Sequence, residues 1–415
     1  MIERRTAIGL ALGAVIARPA IAQPSSAARM SAAFFYQSVG PVLATWQADA
    51  TAVTLTRASE VTLPANIQYV WRHPAQRVLY VASSNGGPDG PGDRHFANAF
   101  TMDPETGALR PHGEPARLRA RPIHISVDRA GAHALIAYNN PSGVSVHRIG
   151  ADGMLGEEVA QAVTPDGGIY GHQVLAAPDN ATVILVTRGN DAAGGKPEDP
   201  GALKVFAFRD GQLTLRQTVA PDGGRAYGPR HIDFHPTLPI VFVSLERQNK
   251  LHVHGLRDGT MTPEPIFTTD TLQHPGALPP QQSASTLHVH PNGRHLYLAN
   301  RSDAMGEYQG QPIALDGENS VTVFDLDPAT GRPTLVQSVD TRGFHPRTFS
   351  LDPTARMLVA ADITGRRVRQ GDGTVLRPAN LALYRVGADG RLAFVNSIPV
   401  ETGNALQFWT GMVRL

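Results

Sequence analysis

From about residue 30 onward the chain restates one pattern: a short apolar stretch, a turn at Pro or Asp, a second apolar stretch, then a polar loop. Six copies are visible, at Tyr69–Val81, Ile123–Ala137, Val174–Val186, Ile232–Val243, Leu287–Leu298 and Phe349–Val359. Each reads as two strands joined by a tight turn, because apolar runs this short, rich in Val, Ile, Leu and aromatic residues, suit a pleated surface. The turn residues are Pro74, Asp128, Pro178, Pro236, Pro291 and Pro353, a period of about 56 residues. Roughly 25 residues after each anchor comes a further strand leading into a turn with Gly at its end. Asp103-Pro-Glu-Thr-Gly107, Asp327-Pro-Ala-Thr-Gly331, Asp152-Gly153, Asp210-Gly211 and Asp389-Gly390 are the instances.

Two hairpins per repeat make a four-stranded sheet, and sheets repeated at this period predict a β-propeller. The expected fold is all-β: a seven-bladed β-propeller with four-stranded blades, its closing blade shared by the N- and C-termini. Ala33–Leu55 is expected to supply the outer part of that blade and Asn404–Leu415 its inner strands. Closure of this kind removes free sheet edges.

The first residues do not fit the repeat. Met1-Ile-Glu-Arg-Arg-Thr6 is followed by an apolar run from Ala7 to Ala17, then by Ala20-Ile-Ala22. A charged start, a short apolar core and an A-x-A site are the parts of an export signal. The run is too short to span a bilayer, which needs about 20 residues. Residues 1–22 are therefore expected to be a cleaved signal, with Arg4-Arg5 giving it a twin-arginine character. Residues 23–415 then form a single propeller domain, periplasmic or secreted, with no membrane contact after cleavage.

Composition narrows the chemistry. Lys plus Arg number 37 against 36 Asp plus Glu, a balance that argues against a basic nucleic-acid footprint. There is no cysteine, which excludes disulfides, thiolate metal sites, thiol nucleophiles and covalent haem attachment. With 41 Gly and 33 Pro, the chain turns often and few long helices are expected.

Four phrases carry a more specific message: Gly228-Pro-Arg-His231, Val243-Ser-Leu-Glu246, Leu298-Ala-Asn-Arg301 and Gly343-Phe-His-Pro-Arg-Thr348. Together they resemble the seven-bladed propeller lactonases, a family that includes the propeller type of bacterial 6-phosphogluconolactonase and fungal carboxymuconate cyclase. The resemblance covers most of residues 60–400. It implies an active site of one His, two Arg and one Glu at the mouth of the central channel, carried here by His172, Arg230, Glu246 and Arg301. Blade position agrees: His172 and Arg230 each lie six residues before their anchor prolines, and Glu246 and Arg301 each lie ten after theirs. His231 and Arg347 flank the motifs as supporting residues. The resemblance further implies a small-molecule lactone substrate, with an arginine at the developing oxyanion or on an anionic substituent, and His172 or Glu246 as base. No cofactor and no metal are expected.

His252/His254 and His288/His290 alternate along strands, but without companion ligands they read as packing at the surface or channel. The segment 302–318, with Asp303, Glu307, Asp316 and Glu318, reads as a solvated loop that begins beside Arg301 and is placed to act as a lid. Gly189–Gly201 and Gly365–Arg377 also extend their blades. An export signal fits poorly with a phosphorylated sugar lactone, which arises in the cytoplasm. The expected function is hydrolysis of a sugar or related lactone, with a muconate-type cycloisomerase or a non-catalytic binding propeller as alternatives.

Overall fold

Strands begin at Ala33 and recur to Arg414 in a computed structural model that describes residues 33–415 apart from 88–89 and 277–280. The expected signal at residues 1–22 lies outside the described residues. Seven sheets carry the architecture. Blade one starts at strand Asn66–Arg72, blade two at Pro122–Val127, blade three at Gly171–Ala176 and blade four at Pro229–Phe234. Blade five starts at Gln282–Val289 and blade six at Pro346–Leu351. Each of these first strands packs against the first strand of the next blade, so together they form the innermost ring.

The ring closes as the sequence predicts, with a difference in strand share. The C-terminus supplies one inner strand, Thr410–Arg414, rather than several. It pairs antiparallel with Ala33–Val39, which is followed outward by Val42–Asp49 and Thr54–Thr62, the last running past Leu55. Ser38 and Trp409 exchange hydrogen bonds across this joint, Ser38 N to Trp409 O at 2.9 Å and Trp409 N to Ser38 Oγ at 2.8 Å. Among the described residues, helix is confined to one 3₁₀ turn at Pro221–Gly224, in keeping with the Gly and Pro content.

Two repeated devices hold neighbouring blades together. His73 and His235 each accept backbone N–H groups of their own turn at Nδ1 and face a glycine carbonyl of the next blade through Nε2, Gly131 at 3.1 Å and Gly293 at 2.9 Å. Those glycines have positive φ, and a Cβ on either would strike the imidazole. On the other side of the blade, Tyr36, Tyr80 and Tyr297 donate their hydroxyls to Gly107, Gly153 and Gly390, the glycines of the Asp-Gly and Asp-x-x-Thr-Gly turns. Tyr36 belongs to the closing blade and Gly107 to blade one, so the seam is made like the other joints. A buried hydroxyl is costly to leave without a partner, and here that partner belongs to the neighbouring blade.

Two of the expected loops are structured. Residues 302–318 contain a hairpin, Met305–Tyr308 paired with Gln311–Ala314, rather than a wholly irregular solvated loop. Residues 365–377 contain a second, Arg366–Gln370 paired with Gly373–Arg377. The two belong to adjacent blades and touch, with Arg369 over the ring of Tyr308 at 4.5 Å and Thr374 Oγ1 donating to Gln311 Oε1 at 3.1 Å.

Candidate active site

All four predicted residues lie at the face opposite the anchor turns, and a local irregularity explains how half of them are aimed. In blade three the pairing register shifts between Gly171 and Gln173, leaving His172 unpaired. In blade four it shifts between Pro229 and His231, leaving Arg230 unpaired. A β-bulge of this kind turns an extra side chain out of the regular alternation. The same bulge recurs at Gln68 and Arg347 in blades one and six, and a wider one leaves Ser285 and Thr286 unpaired in blade five. Blade two has its own shift, which leaves Ile123 unpaired, whereas the closing strand Thr410–Arg414 pairs without one, so six of the seven innermost strands carry a bulge at this mouth, and Arg347 holds the position equivalent to Arg230.

The ends of the second strands supply the opposing groups. Glu246 follows strand Ile240–Leu245, and Arg301 lies within His295–Ser302. Arg301 Nη2 donates to Glu246 Oε1 at 2.5 Å, and its Nη1 donates to Ser285 Oγ at 3.0 Å. Arg230 Nε lies 3.8 Å from Glu246 Oε2. Arg188, directly after strand Thr182–Thr187, places Nη1 3.9 Å from the same oxygen and stacks over Tyr170. Arg121 donates two hydrogen bonds to Gln68 Oε1, and the half-buried Arg347 lies over the ring of Phe408 at 3.7 Å. A cavity of about 420 Å³, bounded by Gln68, Arg121 and Phe408 among others, adjoins this mouth.

Sequence reasoning missed Arg188 altogether and gave Arg347 only a supporting part. Both were within reach of the same spacing rule: Arg347 lies six residues before Pro353, as Arg230 does before Pro236, and Arg188 lies ten after Pro178, as Glu246 does after Pro236. His231 lies behind His172, ring centroids 5.2 Å apart, and backs it rather than facing the mouth's arginines as a pair.

Electrostatics at the mouth are dominated by cations. Burial pushes the Glu246 carboxyl up, but Arg301, Arg230, Arg188 and Arg347 together more than offset this and hold it below its ordinary value. His172 is driven well below the usual imidazole range, first by burial and then by Arg230 and its neighbours, so the ring is neutral at neutral pH. Burial, Arg301 and Arg121 push Arg347 down to about 9. Several donors have no hydrogen-bond partner: Nε and Nη1 of Arg230, Nε of Arg301 and Nε of Arg188. Nδ1 of His172 is likewise unpartnered. Buried polar groups are rarely left so, and a cluster of unused guanidinium donors around one carboxylate suits an oxygen-rich ligand on which negative charge resides or develops.

The histidine pairs lie elsewhere. His252 and His254 are buried beneath the outer strands of blade four rather than at the surface or in the channel, with His254 Nδ1 2.9 Å from Thr262 O. His290 Nδ1 accepts the N–H of Asn292 within its turn, and His288 opens on the channel. Among the described residues no group of three or more His, Asp or Glu is placed to hold a metal ion.

Residues 35–370 match the family described as lactonase, 7-bladed beta-propeller. The chain is 28% identical over 310 residues to a 6-phosphogluconolactonase of Cronobacter sakazakii, covering 74% of this chain and 80% of that one. It is 27% identical to a 6-phosphogluconolactonase of an Enterobacter species over 74% of this chain and 81% of the relative. Among solved structures, the periplasmic gluconolactonase of Pseudomonas aeruginosa superposes with a TM-score of 0.66 at 20% identity, over 90% of this chain and 97% of that one. A protein from Lactobacillus plantarum gives 0.68 at 21% identity, over 93% and 100%. The structural likenesses establish the fold alone; the sequence match, which includes strands of all seven blades and all four residues of the mouth, establishes that the chain belongs to the lactonase family of seven-bladed β-propellers.

Proposed function

We propose that the protein hydrolyses a sugar or related lactone in the periplasm or outside the cell, once an export signal at residues 1–22 has been removed. What supports this is the convergence at one mouth of unpartnered guanidinium donors from Arg230 and Arg301 with the neutral, unpartnered imidazole of His172. Opening a lactone needs a proton acceptor for the attacking water and donors for the oxygen that becomes negative.

His172 is the better acceptor, because Glu246 already receives a hydrogen bond from Arg301 and is held low by four cations. Protonating His172 beside those arginines is unfavourable until charge develops on the substrate. The oxyanion then offsets the guanidiniums, so proton transfer and carbonyl attack favour each other in the transition state. Arg230 and Arg301 donate to the oxyanion. Glu246 holds Arg301, and Arg188 and Arg347 bind polar substituents or the carboxylate released on opening.

An exported enzyme meets lactones outside the cytoplasm, which favours a non-phosphorylated substrate. The relatives named 6-phosphogluconolactonase and the neighbour named periplasmic gluconolactonase are consistent with a sugar lactone. The test is a pH-indicator assay of residues 23–415 against aldonolactones, muconolactones and acyl-lactones, subtracting spontaneous opening and using Arg230→Ala as control. Catalysis of aldonolactone opening that is lost in the control is expected. Turnover confined to muconolactones, or none in a folded protein, overturns the proposal. Cell fractionation of the full chain checks the compartment.

A further inference from the structure

The other end of the central channel holds a second cavity, of about 540 Å³. All seven innermost strands contribute to its wall, and the turns at Pro74, Pro291 and Pro353 edge it, so it opens at the face opposite the arginines. Its volume lies in the range of small-molecule sites. Tyr69 marks its inner end and packs at a tilt against His124, 4.1 Å between ring centroids; His124 in turn lies 6.3 Å from His231. Tyr69 feels Arg230 and Arg347 from one side and Asp233 from the other, which places it between the two halves of the channel.

The lower half has the opposite electrostatic character to the upper. Arg72 and Arg129 are exposed at its edge, and the remaining charged groups of its wall are Asp128, Asp233 and Asp352. Two of these are already neutralised by local structure. Asp128 Oδ2 pairs with His133 Nδ1 at 3.0 Å, and its Oδ1 takes the N–H of Ala132. Asp352 caps its own turn, with Oδ1 taking the N–H groups of Arg356 and Met357 and Oδ2 that of Thr354.

Asp233 is different. Each of its oxygens accepts one backbone N–H, from Phe234 at 2.8 Å and Val289 at 2.9 Å, and 30% of its side chain remains accessible, opening into the channel. The nearest basic group is His288, with Nδ1 4.0 Å away. Burial pushes the Asp233 carboxyl up and the His288 imidazole down; His288, the two backbone N–H groups and the more distant Arg129 pull the carboxyl back only in part. Beside them stand the half-buried indole of Trp71, stacked with Tyr69 at 6.5 Å, and the hydroxyl of Ser350, which is buried without a partner.

A carboxylate with no cation in contact, its arginines Arg72 and Arg129 standing exposed at the edge, together with an imidazole, a free hydroxyl and aromatic faces forms an acceptor-rich, π-walled chamber. An anion meets carboxylates there, and a neutral polyol leaves the buried carboxylate without a counter-charge. A cation of moderate hydration satisfies both the carboxylate and the rings. A bare metal ion finds no set of three ligands among the described residues. We infer that the lower channel is a binding site for a small organic ammonium ion, with Asp233 as its counter-ion and Trp71 as its wall. The site is independent of the lactonase chemistry at the other mouth.

Trp71 is one of three tryptophans in the chain, so tryptophan fluorescence and calorimetry both read the site. Residues 23–415 are titrated with tetramethylammonium and with propylammonium, with glucose and acetate as comparisons at matched ionic strength. Saturable quenching and heat with the ammonium ions alone are expected. Asp233→Asn should weaken binding at least about tenfold, the effect of losing one charge-assisted contact. Ser350→Lys, which places a tethered ammonium in the same space, should abolish binding in a folded protein and keeps the inference testable if the Asp233 variant does not fold. Absence of a saturable ammonium response, equal responses to glucose or acetate, or undiminished binding by either folded variant overturns it.

Discussion

Arg301 crosses the boundary between two blades to set its Nη2 2.5 Å from Oε1 of Glu246. That contact is central because Glu246 is the carboxylate on which Arg188, Arg230 and Arg301 all bear. Glu246→Ala leaves buried guanidiniums without a counter-ion, and removing one partner of such a pair costs about 3–5 kcal/mol. A denaturant melt is expected to show a loss of that order together with abolished turnover. Adding Arg301→Ala to the variant removes one of the uncompensated charges, so the double substitution should cost less than the sum of the singles.

Arg347 occupies the same bulge as Arg230, one residue into the innermost strand of its own blade. It is not tied to Glu246 by a hydrogen bond and rests instead on Phe408, so its guanidinium is available to substrate. Arg347→Ala is expected to lower kcat/KM about 10²-fold, with a melting temperature close to that of the unaltered protein. Arg347→Lys should recover only part of the loss, since an ammonium lacks the bidentate fork. An unchanged kcat/KM in Arg347→Ala would limit the oxyanion and substituent contacts to Arg230 and Arg301.

Asp362 makes a pH-dependent prediction about stability rather than activity. It is fully buried; Thr341 Oγ1 donates to its Oδ1 at 3.1 Å while Oδ2 has no partner. Burial raises its pKa well above the carboxylate range. The unfolded chain releases this proton near pH 4 whereas the folded chain keeps it, so stability falls as pH rises from about 4 toward the folded value. Asp362→Asn removes the titration and retains an acceptor for Thr341. Urea melts should show the variant stabilised at about pH 8 relative to the parent, with the gain vanishing near pH 4. A gain that grows toward acid pH would contradict the sign.

The blades were legible because each repeat carries its own punctuation. Pro74 and Pro236 mark the inner turns, and Gly107 and Gly331 mark the outer ones by requiring positive φ. The family resemblance singled out His172, Arg230, Glu246 and Arg301, and the period agreed by putting them at equivalent places in their blades. What the period does not encode is the bulge. Nothing in the alternation of apolar residues announces that Arg347 turns inward, and His345, two residues earlier at φ 58°, shows that the local backbone departs from an extended strand. The inserted hairpins escaped for a related reason: Met305–Tyr308 and Arg366–Gln370 are mostly polar, and each is ordered by the other across a blade boundary rather than by a core-facing pattern of its own. The polarity of the lower channel depends on Trp71, Asp233, His288 and Ser350, which come from four different blades, and has no linear signature.

Asn319 joins the two strands that bear Arg301 and Arg347. Its single Oδ1 accepts the N–H of Ser302 at 3.0 Å and the N–H of His345 at 2.8 Å, the residues one after Arg301 and two before Arg347. Asp303 reinforces the joint from the root of the inserted hairpin, with Oδ1 2.5 Å from His345 Nδ1. Asn319 thus helps set the spacing of the two backbones that carry the guanidiniums, beside Ser285, whose Oγ accepts from Arg301 Nη1 and donates to Arg347 O, although Asn319 itself touches neither guanidinium. Displacing a positioned group by about 1 Å can cost on the order of 10²-fold in rate. Asn319→Ala should accordingly lower kcat by about 10–10²-fold, with KM changed far less. Asn319→Asp preserves the accepting oxygen and should restore most of the lost kcat, a rescue not expected if the side chain served only to fill space. Equal losses in the two variants would show that the arginines keep their spacing without this joint.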